Sequence, residues 1–367
     1  MKKFILQVIL MFILLAGILV SVNYFVDASE VITPRSYGTM AKLALAGNIV
    51  TAPENYNERL YQIHVINEMN DIPETIVIGC SRGMFLGREI TGFENLYNNC
   101  VSGGCIEDYY AILGMYYKKF SKLPARVIVE ASPWIFYENI PEARWKEQYI
   151  YKTSAQEFYY KINNRDLVDN LTNENPYFSV SYFQYNLSKI REKGLKAFVR
   201  NNEARISTNP AEAADYPDGS IRYKAEVENQ SENRLSIVKA QKGAVTYQNA
   251  DKMTAINRKK INDFENLLNF LLNNDVEIII YMQPFSVTQC YYIYDKGTNL
   301  IFAGVEKYLH EFGEKHKLKV IGGYDSRKYN ISDEYFIDFM HLDKAGTKII
   351  WDFDNKLYFM YNTPSGN

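Results

Sequence analysis

The chain has 367 residues, with 41 basic and 43 acidic side chains and a formal net charge of −2. That near balance gives no basis for a polyanion partner such as nucleic acid, and four cysteines are few for a disulfide scaffold. The length suits one large domain, or a domain carrying a substantial insertion.

After Met1-Lys2-Lys3, residues 4–26 are apolar except for Gln7, Ser21 and Asn23. A helix of that length crosses a hydrocarbon core of about 30 Å, and the run exceeds the roughly 7–15 apolar residues of a secretory signal. Residues 1–27 are therefore expected to be an uncleaved, single-pass signal anchor in a cell membrane. Lys2 and Lys3 favour a cytoplasmic N-terminus, leaving the rest of the chain outside. Cleavage near Val26-Asp27-Ala28 is the alternative. Residues 28–54, with Pro34 and Pro53 as breaks, read as a stalk or linker, and 55–367 as one domain.

Within that domain the pattern predicts an amphipathic helix over 55–70, a strand at 75–79 and a short strand at 95–98. A loop at 100–104 precedes a helix over 106–120, whose apolar face carries Ile106, Tyr109, Tyr110, Leu113, Met115 and Tyr116. A strand follows at 126–131. Further on come a helix over 254–273, a strand at 276–281, a helix over 301–316 and a strand at 318–322. A final helix begins after Leu342, with Asp343 placed to cap it and Ala345, Ile349, Ile350 and Phe353 facing inward. Alternating strands and helices imply a parallel sheet of about five strands, covered on both faces. Residues 136–250 interrupt this order. They are polar and rich in Tyr and Asn, and read as an insertion with helices near 155–170 and 181–198, then loops around Pro217-Asp218-Gly219. An insertion there is expected to build the substrate side of a site.

The stretch Thr75-Ile76-Val77-Ile78-Gly79-Cys80-Ser81-Arg82 ends an apolar run in a glycine turn that presents a serine. Gly79 has no Cβ, so the chain turns sharply and leaves Ser81 at the carboxyl end of a strand. Far downstream, Asp338-Phe339-Met340-His341 supplies an acid and a histidine three residues apart. A serine hydroxyl needs a neighbouring imidazole to take its proton, and the imidazole needs a carboxylate to fix its tautomer. Ser81, Asp338 and His341 are thus the candidate catalytic residues. Ser102–Gly104, Ser132, Trp134 and Gln283 fall at the same carboxyl edge. His310 and His316 lie in a charged helical segment and read as surface residues, and His64 as structural.

The 30 tyrosines reflect either genome base composition or a surface that stacks on sugar rings; both stay open. Cys80, Cys100, Cys105 and Cys290 all follow strands. Four buried thiols are the expectation, with a Cys100–Cys105 bridge or one involving Cys80 as the alternative outside the cytoplasm. Their spacing matches no zinc pattern, so neither metal nor other cofactor is expected.

These residues resemble the SGNH (GDSL-like) hydrolases and acyltransferases over about 70–135 and 275–360, leaving the insertion uncovered. Gly79-Cys80-Ser81 looks like the first block, which carries the nucleophile. Asn99 to Gly104 looks like the second, in which a glycine amide binds the oxyanion; Gly103 is the best match and Gly104 the next. Asp338 to His341 looks like the last and most specific block. The resemblance implies a three-layer, flavodoxin-like fold and an oxyanion held by the amides of Ser81 and Gly103. The third block departs: the family's Gly-x-Asn-Asp is replaced by Glu130-Ala131-Ser132-Pro133-Trp134. Losing the asparagine donor typically costs about 3 kcal/mol of transition-state stabilisation, unless Ser132 substitutes.

An anchored domain with a weak third block is most similar to the bacterial branch that acylates polymers outside the cell. That branch includes the AlgJ- and AlgX-like alginate acetylation proteins and the DltD-like proteins of teichoic acid D-alanylation. The resemblance implies a polysaccharide acceptor and, as acyl donor, a multi-pass membrane acyltransferase of the MBOAT type. The expected function is an extracytoplasmic O-acyltransferase that O-acetylates a cell-surface or exported polysaccharide through an acyl-serine; the alternatives are an esterase with the same triad and a non-catalytic polymer-binding or scaffold module.

Overall fold

The computed structural model describes residues 2–28, 32–33, 35–52, 56–137, 143–167, 175–194, 204–228, 238, 256–297 and 300–362. Pro34, Pro53 and most of the stretch 229–255 lie outside them.

Helix α1 spans Lys2–Val26, and its most apolar 18-residue window, of mean hydropathy 2.9, contains no buried residue. It is long and apolar enough to cross a membrane. Its last turn is tied to the insertion. Asn23 is fully buried, and its amide donates to the carbonyls of Pro176, Tyr177 and Ser179 at 3.0–3.2 Å. Asn186 donates to Asn23 at 3.2 Å and accepts from the Ala28 amide at 2.9 Å. Asp27 accepts from the Tyr182 hydroxyl at 2.5 Å and from the amide and hydroxyl of Thr33.

The expected stalk is folded instead. Helix α2, Arg35–Leu45, buries Tyr37, Met40, Ala41 and Ala44, one face at helical spacing, against helix α3, Glu58–Glu68. Strand β1, Val50–Thr51, pairs antiparallel with β5, Arg205–Ile206, and β6, Ala214–Asp215; β6 then pairs with β7, Ile221–Arg222. These loops of the insertion thus form a small sheet, because β1 joins the β6–β7 hairpin to β5 and supplies β5 with its backbone partner.

The main sheet contains β2 Thr75–Ile78, β3 Leu96–Asn98, β4 Arg126–Glu130, β8 Glu277–Met282 and β9 Lys319–Gly322. All pairings are parallel, in the order β3-β2-β4-β8-β9. Alternate residues separate the two faces. Ile76, Ile78, Val127, Val129, Ile278 and Ile280 pack under helices α4 Ile106–Phe120, α7 Arg258–Leu272 and α8 Leu300–His316. Val77, Ile128, Ile279, Tyr281 and Ile321 pack under α9, Lys344–Asn362. On α9 the buried face is Thr347, Ile350 and Trp351; Ala345 and Phe353, expected inside, are exposed, because seating the Trp351 indole in the core rotates the helix away from them.

The insertion contributes α5, Tyr149–Asn163, laid along α4, and α6, Val180–Lys193. Both start before the expected 155 and 181. Residues 195–198, included in the second expected helix, lie outside the described residues. A buried Arg59–Asp108 pair, bonded at 2.7 and 2.9 Å, locks α3 to the start of α4.

Candidate active site

The apolar strand β2 delivers Ser81 at its carboxyl end, where Ser81–Gly83 forms a single 3₁₀ turn. Close packing explains the glycines around it. A Cβ on Gly79 would stand 2.5 Å from the Glu130 Cβ, and one on Gly104 would stand 2.4 Å from the Gly79 carbonyl oxygen. Gly104 therefore lets the 100–104 loop lie directly against the serine turn.

Ser81 Oγ lies 2.8 Å from His341 Nε2, and His341 Nδ1 lies 2.7 Å from Asp338 Oδ2. Asp338 Oδ1 also accepts the amides of Met340 and His341 at 2.9 and 2.8 Å. One tight loop, closed by the Ile337 amide on the His341 carbonyl at 2.8 Å, holds acid and base together. Burial alone would raise the Asp338 pKa, but the His341 ring and the two amides outweigh it and hold the carboxyl below its usual range. With Asp338 ionised, Nδ1 carries the ring proton and Nε2 is left to accept from the serine hydroxyl. The arrangement can deprotonate Ser81 and orient the base that does so.

Gly103, at φ 61°, and Ser81 both keep their amides free of any protein acceptor among the described residues. The other residues expected beside the reacting carbonyl are placed differently. The Gly104 amide donates to the Val101 carbonyl at 2.9 Å, so it is a packing glycine. Ser132 is fully buried and turns inward: its hydroxyl donates to Glu130 Oε1 at 2.5 Å and accepts from Arg82 at 3.4 Å. It does not replace the missing asparagine, because the Glu130 carboxylate beneath the turn claims its proton. Gln283 is buried too, its side-chain amide donating to the Arg82 carbonyl at 2.9 Å. Trp134 is half-buried, its ring beside the Arg82 guanidinium.

Two residues around the site went unnoticed in the sequence. Arg82, only 1% exposed, donates to the carbonyls of Met340, at 3.2 Å, and of Gln283, and lies 4.2 Å from the Phe285 ring centroid. It makes no ion pair among the described residues. Bonded to both loops, it ties the serine turn to the histidine loop. Glu130 accepts the Cys80 amide at 2.9 Å and props the turn from below. Their signals were an arginine directly after the serine and a carboxylate ending an apolar strand.

No family model matches this chain, and no curated protein matches it significantly.

Two arms of the insertion reach the same edge. The Asp218 turn between β6 and β7 accepts the Arg88 and Asn98 amides, both at 2.7 Å. Arg144 donates to the Ser102 carbonyl at 2.8 Å. All four cysteines are free and buried, which pushes their thiols above the usual pKa, Cys290 up to about 12, and makes them poor nucleophiles. Among the described residues no three His, Cys, Asp or Glu side chains cluster as metal ligands would.

Proposed function

We propose that this protein is an SGNH-type O-acyltransferase of a bacterial cell membrane, acting outside the cytoplasm on a polysaccharide. The observation that carries the reading is the continuous bond from Ser81 through His341 to Asp338 at the carboxyl edge of a parallel sheet. The sheet order, with the second strand outside the first and the rest following in sequence, supports a flavodoxin-like fold, in which sites lie at this edge. The long apolar helix α1 supports the anchor.

In this reading Ser81 Oγ attacks the acyl carbonyl as His341 Nε2 takes its proton. The amides of Ser81 and Gly103 hold the oxyanion, and the proton passes to the departing oxygen of the donor. A sugar hydroxyl then attacks the acyl-serine, gives its proton to His341 and leaves as the ester, while Ser81 is reprotonated. The donor is a multi-pass acyltransferase of the MBOAT type. With Ser132 turned inward, turnover of small activated esters is slow, and binding of the polymer supplies the positioning that raises transfer.

The test treats the full-length protein in detergent with p-nitrophenyl acetate and maps the acetyl group by mass spectrometry. Acetyl-Ser81 is expected in the wild type and absent from Ser81→Ala, and cells carrying Ser81→Ala should lose polymer acylation. Increased acylation in those cells would assign an esterase. No acetyl-Ser81 with unchanged polymer would assign a non-catalytic module.

A further inference from the structure

A cleft of about 720 Å³ opens between the N-terminal turn of α3, the 144–148 turn and α6. We infer that it is a subsite for a neutral saccharide unit of the acceptor polymer, an inference that rests on the acyltransferase reading. Its volume falls in the range of small-molecule sites.

The lining chemistry selects the ligand. The planes of the Tyr182 and Tyr185 rings lie 11° from parallel with their centroids 6.3 Å apart, and Tyr56 also lines the cleft. Flat aromatic faces suit the C–H faces of a pyranose ring, and the Asn57 and Gln148 amides suit its hydroxyls. Arg59 is already neutralised by buried Asp108, which leaves Glu58 and Glu147 against Arg144, so the lining has no positive excess to favour a phosphate-bearing or carboxylate-bearing chain.

The cleft shares a wall with the reacting centre. Glu58 accepts the Ser102 amide at 2.7 Å and its hydroxyl at 2.6 Å, and Arg144 donates to the Ser102 carbonyl. Ser102 precedes Gly103, whose amide is assigned to the oxyanion. On its far side the cleft is walled by Tyr182, which bonds Asp27 at the end of α1. A sugar bound there sits between the anchor and the loop that completes the site.

The test measures binding by calorimetry, with full-length Ser81→Ala in detergent, of neutral pentasaccharides of glucose, mannose, galactose and N-acetylglucosamine, with poly(glycerol phosphate) as the anionic comparison. At least one neutral pentasaccharide is expected to bind. Tyr185→Ala should weaken it by about tenfold or more, while Tyr185→Phe, which keeps the ring, should stay within about twofold. Binding of none of the four, an unchanged affinity in Tyr185→Ala, or preference for the anionic polymer would overturn the inference. Because Ser81→Ala removes the nucleophile, failure here leaves the acetyl-Ser81 result standing, and failure of that chemistry leaves saccharide binding standing.

Discussion

Arg82 and Gln283 hold each other in both directions: the Arg82 guanidinium donates to the Gln283 carbonyl, and the Gln283 side-chain amide donates back to the Arg82 carbonyl at 2.9 Å. Gln283 Oε1 also accepts the Leu342 amide at 3.4 Å, so the pair joins the serine turn to the segment just after His341. Removing either side strands buried polar groups. Arg82→Ala and Gln283→Ala should each destabilise the fold by about 2–3 kcal/mol, read as a lower urea midpoint. Ester turnover should fall further than the folded fraction does, because the Ser81–His341 distance loses its brace. Turnover that tracks the folded fraction would reduce the pair to a stability role.

Asp338→Asn tests the tautomer argument. Asp338 accepts on both oxygens, from Nδ1 on one and from the Met340 and His341 amides on the other; Asn has a single accepting oxygen, so its NH2 must face the ring or those amides, and Nε2 is no longer reliably the acceptor. Turnover of p-nitrophenyl acetate should drop by roughly 10³–10⁴-fold, with the thermal midpoint little changed. A drop below tenfold would mean that His341 is oriented by other bonds.

Asp215 gives a pH signature away from the triad. Burial first, and then the charge of Glu58, push its pKa up to about 8, against a bond from the Tyr56 hydroxyl that lowers it. In the unfolded chain the same group loses its proton near pH 4. Between about pH 4 and 8 the folded protein therefore holds a proton that the unfolded chain does not, so this contribution is full at the acid end and is lost as pH rises through 8. Asp215→Asn should flatten the fall in urea midpoint between pH 5.5 and 8. An equal slope in wild type and variant would refute the assignment.

Gly104→Ala places a methyl against the Gly79 carbonyl and the Cys80 Cα, where the ideal Cβ distances are 2.4 and 3.0 Å. Backbone is on the receiving side, so relief requires the loop to move. A loss of about 1–3 kcal/mol in stability is expected, with acetyl-Ser81 formation impaired even in the protein that remains folded. Wild-type acetylation in this variant would show that the loop need not touch the serine turn.

The main sheet and the meeting of Ser81, His341 and Asp338 were readable because each rests on a strong local pattern. Short apolar runs such as Thr75–Ile78, β-branched throughout and ended by Gly79, suit buried strands, and Asp338 with His341 three residues later is a compact signal. Residues 35–45 carry helical spacing too, but two of their four buried apolar positions are alanines, and nearby Pro34 suggested a linker. The strands of the small sheet are two residues long, too short to show any period. Ser132 was located by sequence, but its direction is set by Glu130, and Gln283 is turned inward by Arg82. Those are contacts between segments far apart in the chain, which no local pattern encodes.

The knot of Asn23, Asp27, Tyr182 and Asn186 makes helix α1 a mount instead of a leash. A leash lets a catalytic head sweep a volume and meet its donor at any height within reach. A mount sets the height and tilt of what is bonded to it, here α6 and the 176–179 turn with the cleft wall they carry, to those of α1. With α1 in a bilayer, the membrane's own thickness would then set where that wall stands. Lengthening the apolar helix would shift the wall, where a leash would simply take up the slack.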